Sequence, residues 1–114
     1  TQYAGIAALD GPDDFISLMM NEFTQRRNLI HKLLNDLPGV KCSLPGGAFY
    51  AFPNVKGTGM SGAEFAKKCM YEAGVAIVPG TAFGNNAEDF VRFSFAASTE
   101  NISQALGNIK KMLG

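Results

Sequence analysis

Between Asp13 and Pro38, apolar residues return every three or four positions: Phe15, Leu18, Met19, Phe23, Leu29, Ile30, Leu33, Leu34 and Leu37. That period predicts one long amphipathic helix. Asp13 or Asp14 can cap its start, and Pro38-Gly39 ends it. At about 1.5 Å per residue such a helix reaches on the order of 35 Å. That is longer than a small domain behind it needs, which suggests a helix that bridges two bodies; the alternative is a long core helix in a compact domain.

The remaining elements are short. Thr1–Leu9 reads as helix, begins without a capping residue or an initiator Met, and is stopped by Gly11-Pro12. A chain opening inside an element suggests a piece of a longer one; processing of the terminus would leave the same mark. Val40–Leu44 and Ala48–Phe52 read as strands around a Pro45-Gly46-Gly47 turn. Ser61 with Glu64 three positions on predicts a capped helix, with Phe65, Ala66, Cys69, Met70 and Ala73 on its apolar face and Gly74 closing it. Val75–Val78 and Phe90–Ala96 read as strands, and Ser98 or Thr99 opens a last helix. Helix, strands, helix, strands, helix describes a two-layer α/β domain: a small sheet covered by helices mainly on one face.

Composition narrows the function classes. Of 114 residues, 46% are hydrophobic, enough for one packed core. Ten basic and ten acidic residues balance, so charge supplies no reason to bind nucleic acid or an anionic membrane. No apolar run is long enough for a bilayer, and no export signal is visible; a soluble, cytoplasmic protein is expected. Cys42 and Cys69 read as buried reduced thiols, and no Cys/His pair has metal-ligand spacing.

Chemistry is concentrated in Phe90–Ala96. Strand alternation puts Val91, Phe93 and Phe95 on one face and Arg92, Ser94 and Ala96 on the other. Arg92 is the only arginine outside the long helix and lies among apolar residues. A guanidinium offers a rigid fork of donors that matches a carboxylate and stays charged. The same pattern also describes an arginine on the wet face of a half-buried strand. Pro79-Gly80-Thr81-Ala82-Phe83-Gly84 and Gly46-Gly47-Ala48-Phe49-Tyr50 are glycine-rich turns that can shape a site or simply reverse the chain. Gly57, Gly59 and Gly62 match G-x-G-x-x-G, but the strand that follows ends in Val78-Pro79-Gly80 with no acid for a ribose, which argues against a dinucleotide fold. His31 has no catalytic partner pattern around it, and Lys67, Lys68, Lys110 and Lys111 read as solvated helix charge.

Four segments, QYAGIAALDGP, LPGVKCSLPGGAFYAFPNV, EAGVAIVPGTAFG and VRFSFAASTENISQALGNIKK, together resemble the C-terminal small domain of class I aminotransferases of the aspartate aminotransferase type. The resemblance covers nearly the whole chain. It implies that residues 1–12 end a linker helix from a large domain and that 13–114 form the small domain. It also implies that Arg92 binds the substrate α-carboxylate, with Phe49, Gly80 and Phe83 as site-lining residues. The family's cofactor lysine and phosphate-gripping residues lie outside these motifs. The resemblance therefore implies pyridoxal 5'-phosphate in the parent but none bound to this segment, which alone would be inactive. It further implies a homodimeric parent acting on an amino acid, aspartate or a similar one, and a 2-oxo acid. The alternative is a free-standing α/β interaction module without catalysis.

Overall fold

The computed structural model describes residues 1–114. Helix α1 spans Gln2–Asp10 and buries no residue. Helix α2 follows over Asp14–Asn35, at about 33 Å from its residue count. Its apolar row does not all serve the core. Ile30 and Leu34 are buried, whereas Phe15 is 69% and Leu18 63% exposed. The alternative of a core helix throughout is set aside: the rest of the domain meets α2 from about Phe23 onward, and the turns before it project, as the excess length suggested. The 51 Å long axis, against 30 and 24 Å for the others, records that projection.

The sheet has three antiparallel strands, β1 (Tyr50–Ala51), β2 (Val78–Pro79) and β3 (Val91–Ser94), in the order β1-β3-β2. Tyr50 pairs with Ser94 and Ala51 with Phe93; Val78 pairs with Arg92 and Pro79 with Val91. The strands are shorter than their apolar runs: β1 stops ahead of Pro53, whereas β2 takes only Val78 from the expected Val75–Val78 run and adds Pro79, leaving Val75–Ile77 outside the ladder. Pro53 and Pro79 have no N–H to donate to a ladder. Val40–Leu44 does not form the expected strand. It makes a single bridge, Lys41 to Asn54, with hydrogen bonds of 2.9 and 2.8 Å. The next backbone pair is taken by a side chain: Cys42 N–H donates to Asn35 Oδ1, and Asn35 Nδ2 donates to Cys42 O, both at 3.0 Å. An amide at the end of α2 thus replaces a neighbouring strand.

Helix α3 (Gly62–Lys68) starts as expected. Ser61 Oγ accepts from Glu64 N–H, and the Glu64 carboxylate accepts from Ser61 N–H at 2.9 Å, a complete capping box. The helix then widens into a π turn over Cys69–Ala73, closed by Gly74 at φ +68°, a left-handed conformation in which glycine carries no steric penalty. Helix α4 (Thr99–Leu113) opens on Ser98, whose hydroxyl accepts from Asn101 N–H at 3.2 Å. Val91, Phe93 and Phe95 of the β3 segment join Ile30 and Leu34 of α2, Phe65 of α3 and Ile102, Leu106 and Ile109 of α4 in one core. The helices therefore cover one face of the sheet and leave the other open, the two-layer arrangement read from the sequence.

Candidate functional site

The open face of the sheet is aromatic around one cation. Because Val91 and Phe93 point into the core, Arg92 must point away from it. Register then chooses its neighbours. Tyr50 lies across from Ser94, on the same face as Arg92, and comes from the strand on one side of β3. Phe83 lies in the 3-10 turn Gly80–Phe83 that directly follows β2, on the other side. The Arg92 guanidinium carbon stands 4.4 Å from the centre of the Tyr50 ring and 4.6 Å from that of Phe83. Both distances are well inside the range in which a ring's negative face attracts a cation. Phe83 is met edge-on by Phe52 at 6.0 Å, and Phe52 stacks on Phe90 at 5.3 Å. Phe52, Phe90 and Arg92 share this face by the same alternation.

The chain's four salt bridges are Arg26–Glu22, Lys32–Asp36, Lys56–Asp89 and Lys68–Glu72, so Arg92 is in none of them. The acid nearest in sequence, Asp89, is held by Lys56 at 2.9 Å, and this contact holds the lysine above its ordinary pKa. Arg92 is half-buried. A guanidinium covered by rings on its flanks and lacking a carboxylate partner presents its N–H edge to whatever enters from the open side. Such a fork of donors is suited to bidentate binding of a planar anion.

The other residues singled out in the sequence are not equivalent. Phe83 touches Arg92 directly. Phe49 has the parity of Ala51 and turns toward the helices: its ring is 6.0 Å from Phe23 of α2, and it joins Met19, Met20 and Phe95 in a cleft of about 500 Å³ between α2 and the Gly46–Ala48 turn. It touches the Arg92 face only through Tyr50, ring to ring at 4.5 Å. Gly80 is buried and donates its N–H to Phe90 O at 2.8 Å, which brings the Phe83 turn against β3. Tyr50 was not singled out by sequence reasoning. The signal was available only in part: strand parity separates Tyr50 from Phe49, but which of the two shares a face with Arg92 depends on the Tyr50–Ser94 register. Ser94 turns its hydroxyl back to accept from Ala96 N–H at 3.3 Å.

A lysine that forms a Schiff base works in a desolvated pocket. No lysine of this chain is buried, and Lys32, Lys56 and Lys68 are paired with acids. The lysines present do not fit covalent attachment of a carbonyl cofactor. No group of three or more His, Cys, Asp or Glu side chains is placed to hold a metal ion, and no helix is long and apolar enough to cross a membrane.

The model of the family "Aminotransferase class I and II" matches residues 1–109. An aspartate aminotransferase of Pyrococcus horikoshii is 42% identical over 114 residues, covering 98% of this chain and 29% of its own length. An aromatic-amino-acid aminotransferase of Thermococcus litoralis is 42% identical over 116 residues, with the same 98% and 29% coverage. The crystal structure of the aspartate aminotransferase from Rhizobium meliloti superposes with a TM-score of 0.92 at 34% identity, over 98% of this chain and 30% of that one. The chain thus spans about 29% of the length of the curated relatives it matches. With the family model spanning nearly every residue and the fold shared throughout, this chain belongs to the class I and II aminotransferases.

Proposed function

We propose that this chain is the carboxylate-binding small domain of a pyridoxal-phosphate-dependent aminotransferase, and that Arg92 grips the α-carboxylate common to its amino acid and 2-oxo acid substrates. One observation carries the reading: Arg92 is a half-buried cation without an acid partner, on the one sheet face the helices leave open. An anion held by two parallel N–H···O bonds is fixed in orientation as well as position. Orientation is what a domain of this kind adds to the reaction. Pyridoxal 5'-phosphate, which supplies the electron sink for amino transfer, would be held by residues outside 1–114. Likeness to the aspartate aminotransferases favours aspartate or a similar amino acid as donor.

In this reading residues 1–12 end a linker helix and 13–114 form the small domain. The support is that α1 buries nothing and that Tyr3, Ile6, Leu9, Phe15 and Leu18 form an apolar surface more than half exposed. Such a surface fits contact with the rest of a longer chain and with the second subunit of a homodimer. Phe83 lines the carboxylate site directly; Phe49 and Gly80 shape it from behind.

The test is Arg92→Lys in the full-length protein. Lysine keeps the charge and loses the fork. A charge-assisted hydrogen bond contributes about 1.5–3 kcal/mol, so kcat/KM for the amino acid should fall on the order of 10- to 100-fold, with cofactor content and its absorbance unchanged. Kinetics like those of the parent would remove Arg92 from the site.

A further inference from the structure

From the two rings flanking Arg92 we infer that Tyr50 and Phe83 are positioning residues, which hold the guanidinium plane so that only its N–H edge is open to a substrate carboxylate. The inference rests on the reading of Arg92 as the carboxylate clamp and adds what makes that clamp specific. An arginine on an open sheet face has many rotamers, and ordering it opposes binding. Here the guanidinium is met from both sides of β3, at 4.4 Å by Tyr50 and at 4.6 Å by Phe83. Each ring is itself fixed. Tyr50 lies in the ladder opposite Ser94 and against Phe49 at 4.5 Å. Phe83 abuts the Phe52–Phe90 stack, and its turn is tied to β3 through Gly80 N–H and Phe90 O. With a ring packed against it from each side of β3, the guanidinium is held in place before a ligand arrives. It reads the planar acid at its edge. The contact uses the ring face of Tyr50, not its hydroxyl, so phenylalanine should replace it.

The experiment is steady-state kinetics on the full-length protein with Tyr50→Leu, Phe83→Leu, Tyr50→Phe and Arg92→Lys, together with Tyr50→Leu combined with Arg92→Lys. Removing either ring should raise KM for the amino acid and for the 2-oxo acid by about tenfold, with kcat within about twofold. Tyr50→Phe should restore the parent KM. In the Arg92→Lys background the Tyr50→Leu change should raise KM by less than about twofold, because the group it positions is gone. A ring that only stabilised the fold would raise KM equally in both backgrounds, and that result would overturn the inference. So would unchanged KM in both leucine variants while Arg92→Lys alone weakens binding. Unchanged KM in Arg92→Lys overturns the clamp reading itself, a different outcome from either. Should Phe83→Leu fail to fold, Tyr50→Leu against Tyr50→Phe decides the matter alone.

Discussion

Gly80→Ala tests whether close backbone approach sets the wall beside Arg92. A Cβ built at Gly80 runs into the carbonyl oxygen of Ala87 and lies 2.7 Å from that of Phe90, both backbone atoms that cannot swing away. Ordinary contact is about 3.5 Å, so the turn or β3 must shift by roughly 1 Å. That shift breaks or stretches the 2.8 Å bond from Gly80 N–H to Phe90 O, which contributes about 1 kcal/mol. Overpacking adds about 1–3 kcal/mol, for a loss of about 2–4 kcal/mol in all. For 114 residues at about 2.1 cal/mol/K each, the unfolding entropy is about 240 cal/mol/K, so Tm should drop by about 8–17 °C. Thermal melting followed by far-UV circular dichroism measures this. Gly47→Ala is the control, because no atom lies within 4 Å of a Cβ there; it should move Tm by no more than about 2 °C. A Gly80→Ala drop below about 4 °C, or one matched by the control, would refute the argument from backbone contact.

Two further expectations concern the helix layer. Asn35→Ala leaves both the N–H and the C=O of Cys42 without the partners they have now, and should lower stability by about 1–3 kcal/mol in urea titration; Asn35→Asp, which keeps the acceptor, should lie between parent and alanine. Burial pushes the Cys69 thiol up from 9.0 to about 12, so it should resist iodoacetamide at pH 8 in the folded chain and react once urea unfolds it. A folded pKa above the unfolded one means the stabilising contribution is complete below pH about 9 and is lost as pH rises toward 12; Cys69→Ala should flatten that alkaline decline in stability.

The elements legible in the sequence are those with a local cause. Ser61–Glu64 makes its capping box, Gly74 ends its helix with positive φ, and Ser98 caps α4, because each rests on residues within a turn of one another. The rest has a different origin. Val40–Leu44 has a strand's composition, yet past the single Lys41–Asn54 bridge the backbone groups of Cys42 are taken by the side chain of Asn35, a residue outside the segment, and composition does not report partners. The N-terminal half of α2 has a core helix's period, but period states that a face is apolar and not what covers it. Phe15 and Leu18 carry the same signal as Ile30 and Leu34 and have the opposite environment.

The site divides along the same line. Alternation in Phe90–Ala96 was sufficient to turn Arg92 away from the core, since Val91 and Phe93 leave the strand no other way to face. It could not say what stands beside the guanidinium, because Tyr50 and Phe83 reach it from positions 42 and 9 residues away through the antiparallel register and the turn after β2. An arginine on an open face is, by itself, compatible with a solvated surface charge. What sets this one apart, and supports the proposed receptor role, is that rings pack against it from both sides of β3 and that its neighbouring acid is taken by Lys56. A cation attracted to two ring faces is ordered before any ligand arrives, so ligand binding need not supply that ordering. In the proposed clamp, specificity would therefore belong to the sheet order β1-β3-β2 as much as to position 92.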